Sequence, residues 1–270
     1  MWRCFGLSCL MVGAEMAGQA GYDNFRARLQ RRETMVGTWI KTPSATVCEV
    51  LSRTELDVLA LDAEHAPFGR AELDGCLAMC FALGKPTLVR VSSSNPSHIL
   101  NALDCGATGV LVPHITTPDA AKAIVRASHY GRGGRGYAGS TRAAGFAGRP
   151  ISEQIARSEM HTTVIAQIED AEALECINDI AAVKGIDALF VGRIDLTVSL
   201  GKTSPDHPDV IAAVETVCAA GLGAGIPVGM FLANPAEAKT WVPRGASLFI
   251  LASDHGFLLS GARNLIEAIK

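Results

Sequence analysis

Asp62, Glu64 and His65 lie together just after a short apolar run, and acid and imidazole gathered in this way can do proton chemistry. Comparable groups recur along the chain. Lys41 ends the run at 35–40, and Arg90 sits within the run at 87–91. His114 follows 109–112 across Pro113, and Gln167 and Glu169 close the run at 164–168. Arg193 and Asp195 follow 188–191, and Asp254 and His255 follow 248–251. Glu169 and Asp195 form a two-carboxylate pair with no cysteine or histidine cluster beside it. That donor set suits a hard divalent ion, Mg2+ or Mn2+ with Co2+ as a third option, and leaves coordination positions open. Such a site takes substrate oxygens directly. A 2-oxo acid offers a carboxylate and a keto oxygen in one chelate, and the ion then stabilises an enolate at the neighbouring carbon. Arg90 adds positive charge at the developing oxyanion. Imidazole is the side chain suited to a base near neutral pH, so His65 takes that role, with Asp104 as the acid that orients it.

Each of these residues also has a purely architectural reading. Asp62 and Asp195 can cap the segments that follow them, and Arg90 can serve an ion pair inside the fold. Glu169 can open a helix, where an acid favours the dipole. Lys41 carries a different chemistry, a Schiff base with a carbonyl substrate. The lysines at 85, 122, 184, 202, 239 and 270 fall in helices or loops, or at the opposite end of the strands.

The elements that must position these groups are legible in the hydropathy pattern. Eight short apolar runs, at 35–40, 58–61, 87–91, 109–112, 164–168, 188–191, 228–231 and 248–251, alternate with helical patterns such as 45–52, 119–127, 171–180, 208–219 and 236–241. Continuous rather than alternating apolar runs suit strands covered on both faces, hence a parallel sheet. Eight strand–helix units predict a (β/α)8 TIM barrel, with a doubly wound open sheet as the alternative. In either fold, ionisable residues at the strands' C-terminal ends converge on one site. Several runs are preceded by a junction such as Gly106-Ala107-Thr108, Gly185-Ile186-Asp187 or Gly245-Ala246-Ser247, read as a helix stop before a strand. The glycine- and arginine-rich stretch 129–150 reads as a mobile loop. Its Gly131, Gly133 and Gly136 spacing lacks the strand–turn–helix context of a dinucleotide site.

Composition bounds the function. The chain has 270 residues, 49% hydrophobic and 19% charged, enough to bury a sizeable core. Its net charge of −3 argues against a general nucleic-acid binder, and no apolar run is long enough to span a membrane. Eight cysteines are too sparse for a disulfide scaffold and match no zinc pattern, so they read as free thiols of a reducing, cytoplasmic compartment. Cys76 and Cys80 continue the buried stripe of one helix. Residues 1–21 read as a poorly ordered extension, with a cleaved signal as the alternative, and residues 22–270 as a single domain.

These residues resemble the HpcH/HpaI aldolases, the class II pyruvate aldolases. The resemblance is carried by Leu61-Asp62-Ala63-Glu64-His65-Ala66-Pro67, Val89-Arg90-Val91, Leu103-Asp104-Cys105-Gly106, Leu111-Val112-Pro113, Gly134-Arg135-Gly136, Gln167-Ile168-Glu169 and Gly192-Arg193-Ile194-Asp195-Leu196. It implies a (β/α)8 barrel assembling as a hexamer with exchanged C-terminal helices. It further implies His65 as general base with Asp104 as its acidic partner, and Arg90 on the keto oxygen. Glu169 and Asp195 would be metal ligands and Gln167 would line the site, with the backbone at Ile194 and Asp195 on the substrate carboxylate. The implied reaction is reversible cleavage of a 4-hydroxy-2-oxo acid to pyruvate, or a near analogue, and an aldehyde. The chain departs from the family at three places: Arg193 replaces a common proline, His114 an aliphatic residue or methionine, and Lys41 a small residue. Arg193 beside the substrate carboxylate is expected to alter specificity. The alternatives to a metal-dependent aldolase are a Schiff-base enzyme using Lys41, a CoA-ester lyase of the malyl-CoA type, and a barrel that binds an oxo acid without turning it over.

Overall fold

The computed structural model describes residues 24–270, so the expectation for residues 1–21 lies outside the described residues. Eight parallel strands close into a barrel in sequence order. They are β1 (Met35–Ile40), β2 (Val58–Asp62), β3 (Thr87–Arg90), β4 (Gly109–Val112), β5 (Thr163–Ile168), β6 (Ala188–Val191), β7 (Val228–Leu232) and β8 (Ala246–Ser253). Parallel pairing of β1 with β8 completes the ring and excludes the open sheet. Each expected run became a strand, with ends shifted by a residue or two.

The helices between them are α1 (Ala45–Ser52), α2 (Arg70–Ala82), α3 (Pro96–Asp104), α4 (Pro118–Ser128), α5 (Ile151–His161), α6 (Ile177–Ala181), α7 (Arg193–Ser199), α8 (Pro208–Ala224), α9 (Ala238–Trp241) and α10 (Asp254–Glu267). The pattern at 171–180 splits into a 3-10 turn, Ala171–Cys176, and the short α6. Proline at the first turn with a capping side chain starts α3, α4 and α8, at Asn95, Thr117 and His207. Cys76 and Cys80 are buried against Cys48 of α1, as the helical stripe predicted.

Period-two alternation sorts the core into two layers. Leu59 and Leu61 of β2, Val89 of β3 and Val164, Ala166 and Ile168 of β5 face the helices. Val58, Ala60, Leu88, Leu111, Ile165, Phe190, Leu248 and Ile250 fill the lumen, closed below by Phe25 and Leu29. One step further along each lumen-facing register come Lys41 after Trp39, Asp62 after Ala60, Arg90 after Leu88, and Gln167 then Glu169 after Ile165. The site is thus the top layer of the barrel interior.

The junctions before the strands do more than stop helices. Gly106, Gly185 and Gly245 adopt φ near +100°, where an L side chain would be strained. Two residues past Gly106 and Gly185, Thr108 accepts the Thr87 N–H and Asp187 the Val164 N–H, and Asp57 accepts the Val36 N–H in the same way. Each polar residue therefore pins an N–H at the start of the preceding strand. The stretch 129–150, expected as a mobile loop, makes side-chain contacts with the barrel. Arg135 pairs with Asp104, and Arg142 pairs with Asp74 and donates to the Cys105 carbonyl.

Candidate active site

A cavity of about 400 Å3 opens at the C-terminal end of the strands. Trp39, Phe190 and Phe231 form its floor, with Trp39 and Phe190 packed edge to face at 6.1 Å. Lys41, His65, Arg90 and Gln167 line its walls, and Ile194 and Asp195 its rim.

Arg90 is the best-defined group. Its Nε and Nη2 donate to the two carboxylate oxygens of Asp62 at 2.9 and 2.8 Å, and its guanidinium lies 4.4 Å from the Trp39 ring centre. Asp62 is wholly buried. Burial pushes its carboxyl up, but the Arg90 guanidinium outweighs that and holds it below the usual carboxylate range. Asp62 also accepts the His65 N–H at 3.1 Å and lies 3.3 Å from Lys41 Nζ. With two of its N–H groups on Asp62, the outer part of the Arg90 fork remains for a substrate oxygen.

Beside this pair lies a second cluster. Ligand atoms of Glu64, His114 and Glu169 all fall within 4.8 Å of one another. Glu169 is buried, accepts the His114 N–H at 2.9 Å, and takes a hydrogen bond from the Gln167 amide. Desolvation raises both carboxyls, Glu64 against the pull of Arg90 and His114, and Glu169 against those two hydrogen bonds. Glu64 Oε2 is buried without a hydrogen bond, although Arg90 Nε lies 3.3 Å away. Carboxylates crowded together, one buried and one with an orphaned oxygen, fit a bound divalent cation. Gly192 makes room for this packing, because a Cβ there would stand 2.7 Å from the Glu169 carboxylate.

The placement of the predicted residues is mixed. His65, Arg90, Gln167, Ile194 and Asp195 line one cavity, and Glu169 adjoins it through Gln167 and Gly192. Asp195 acts on Glu64 electrostatically but is outside the tight three-residue cluster. Asp104 does not meet His65 within the chain. It is the last residue of α3, at the end of the barrel where the strands begin, and pairs with Arg135 at 2.5 Å. Arg193 lines the cavity, but its guanidinium is already paired. Its guanidinium turns away to Asp206, Glu237 and the Pro205 carbonyl, tying the 201–207 loop to the turn Pro235–Glu237. These bonds show what holds the Arg193 side chain beside the cavity. Asp254 is likewise architectural, its two oxygens accepting the Lys41 and Thr42 N–H groups. Sequence reasoning grouped Glu64 with Asp62 and His65 but missed its place in the cluster with His114 and Glu169. Lys41, the Schiff-base candidate, lines the cavity as half of an ion pair.

A closed parallel barrel whose C-terminal mouth gathers a buried arginine, imidazoles and carboxylates defines a class: (β/α)8 proteins with a polar site for a small, oxygen-rich ligand. Known proteins narrow that class. The family model described as HpcH/HpaI aldolase/citrate lyase matches residues 35–260, and the chain belongs to this family. It is 34% identical over 253 residues to a hydroxypyruvate/pyruvate aldolase of Paraburkholderia phytofirmans, covering 91% of this chain and 96% of that one. It is 33% identical over 244 residues to a 2-dehydro-3,6-dideoxy-6-sulfogluconate aldolase of Pseudomonas putida, covering 90% and 95%. The crystal structure of an HpcH/HpaI aldolase/citrate lyase family protein from Burkholderia cenocepacia superposes with a TM-score of 0.86 at 34% identity, covering 92% of this chain and 99% of that one. The relatives named as aldolases are carbon–carbon lyases.

Proposed function

We propose that the protein is a divalent-metal-dependent aldolase that reversibly cleaves a 4-hydroxy-2-oxo acid into pyruvate, or a close analogue, and an aldehyde. The observation that carries this reading is the cluster of Glu64, His114 and Glu169 set against the Arg90–Asp62 pair and His65. Glu169, with Glu64 and Asp195 nearby, would hold the ion. When bound, Mg2+, Mn2+ or Co2+ supplies Lewis-acid polarisation of the 2-oxo acid.

The remaining chemistry belongs to the side chains. Arg90, held rigidly by Asp62, offers its outer N–H groups to the keto oxygen and keeps them there as that oxygen gains charge. His65 takes the proton of the 4-hydroxyl. The C3–C4 bond then breaks, the aldehyde leaves, and C3 takes the proton back from His65 to complete the pyruvate methyl group. Asp62 fixes the His65 backbone through the His65 N–H. The first N–H groups of α7 have no partner within the helix, and Ile194 and Asp195 bring them to the rim for the substrate carboxylate. The apolar floor excludes water from the enolate.

The test is pyruvate release across a panel of 4-hydroxy-2-oxo acids, before and after chelation and with metal added back. Activity lost to chelator and restored by Mg2+ or Mn2+ is expected. Full activity in chelator, with borohydride trapping at Lys41, would overturn the reading in favour of the Schiff base. Turnover of a CoA ester alone would point to the lyase alternative. For assembly, α10 exposes Phe257, Leu258, Leu259, Leu265 and Ile266, an apolar surface that supports association of copies, with a hexamer as the expected mass in light scattering.

A further inference from the structure

His114 is an unusual residue to find at the end of β4. Its backbone takes φ +57°, a left-handed conformation uncommon for any residue but glycine, and its N–H is spent on Glu169. The strain directs the imidazole into the carboxylate cluster. There Nδ1 lies 3.0 Å from Asp170 Oδ2 and 3.4 Å from Glu169 Oε1, while Nε2 lies 3.7 Å from Glu64 Oε1.

A carboxylate only accepts hydrogen bonds, so the 3.0 Å contact places a proton on Nδ1. In the neutral ring Nε2 then presents a lone pair to a carboxylate oxygen. The gap of 3.7 Å is too long for a hydrogen bond. It is within the ~4.2 Å that two donors to one ion with bonds of about 2.1 Å can span. Asp170 completes the arrangement in which the ring nitrogen that does not bind metal donates to an acid, fixing tautomer and orientation.

We propose that His114 Nε2 is a further ligand of the divalent ion, adding a nitrogen donor to the carboxylates of Glu169, Glu64 and Asp195, and that Asp170 positions it. An imidazole donor moves selectivity away from Mg2+, which prefers oxygen alone, toward Mn2+ and Co2+. The proposal rests on the metal-dependent reading above and deepens it by assigning the donor atoms and the class of ion.

The test uses the full-length protein loaded with Mn2+ and pulsed EPR to detect nitrogen coupled to the metal. A 14N coupling is expected in the wild type, converted to a 15N coupling by histidine labelling, kept in His65→Ala and lost in His114→Leu. Titration should show Mn2+ affinity falling about tenfold in His114→Leu while Mg2+ affinity changes threefold or less. Asp170→Asn should keep the nitrogen coupling and weaken Mn2+ by about tenfold, the usual effect of losing a supporting acid. This variant and the labelled wild type read out the ligand even where His114→Leu folds poorly. Mn2+ bound without nitrogen coupling, or a coupling that survives in His114→Leu, would overturn the assignment and leave the metal-dependent reading standing. A wild type that binds no Mn2+ would remove both.

Discussion

Replacing Asp62 by asparagine keeps the shape of the residue and removes its charge, and so isolates what the Asp62–Arg90 pair does. Arg90 would stay buried, about 7% exposed, facing an amide whose NH2 cannot accept its hydrogen bonds. Stripping one partner from a buried ion pair costs about 3–5 kcal/mol, because the other charge is left uncompensated. The low end applies here, since Glu64 Oε2 already lies 3.3 Å from Arg90 Nε and can take the guanidinium over. A loss of ~3 kcal/mol corresponds to a melting temperature lower by roughly 6–12 °C for a domain of this size. The takeover has a second consequence. Arg90 leaves its place over Trp39 and engages a residue of the metal cluster. We therefore expect kcat/KM for pyruvate release to fall about 100-fold and metal affinity to fall about tenfold. Urea unfolding, metal titration and the coupled pyruvate assay measure the three quantities on one preparation. A variant within about 1 kcal/mol of wild type, with kcat/KM within threefold, would refute the view that Asp62 holds Arg90 for catalysis.

Three further outcomes follow from the geometry. Asp254→Ala removes the acceptor of two backbone N–H groups and should cost about 2–3 kcal/mol at pH 7. Burial raises the Asp254 carboxyl, but hydrogen bonds from Thr42 and Lys41 outweigh it and hold it low, so this stability is present above its unfolded pKa of about 3.9. It is lost as pH falls through the lower folded value, and a wild-type–variant gap that widens in acid would contradict the assignment. Arg193→Met should speed proteolysis within 201–207 while changing the KM for the oxo acid less than threefold, whereas Arg90→Lys should cost about 100-fold in kcat/KM. A tenfold KM rise in Arg193→Met with unaltered proteolysis would return Arg193 to the substrate. Gly192→Ala forces a Cβ against the Glu169 carboxylate, at an expected ~1–3 kcal/mol and a tenfold weaker metal, and unchanged metal titration would show that Glu169 is not a ligand.

The barrel was legible because its signals are local. Apolar runs, capping residues and junction glycines each act within a few residues, whereas closure, left open against a doubly wound sheet, is shown by the pairing of β1 with β8. The lumen residues were legible for a related reason. Period two carries register from Ala60 to Asp62 and from Ile165 to Gln167 and Glu169, so strand-end chemistry can be projected into the interior. The same step of two from Asp62 reaches Glu64, so its place at the mouth is carried by the same period. Element order also locates Asp104. A helix following a strand returns to the end where strands begin, so its last residue cannot reach the other mouth of its own barrel.

The partners of Arg193 were not legible, for a deeper reason. Its position beside the site was correct, but the direction of a long side chain is decided by partners far along the chain. Asp206 and Glu237 lie 13 and 44 residues away and bind both ends of its fork, and the Pro205 carbonyl takes the remaining Nε–H. No spacing rule reports on that competition. His114 shows the converse. Its position gave only a departure from a family pattern, whereas the positive φ, the bond to Asp170 and the gap to Glu64 exist only in the folded chain. Residue type and strand end thus locate a mouth of the barrel, while the choice between clamp and ligand is made by which fixed acids each side chain meets there.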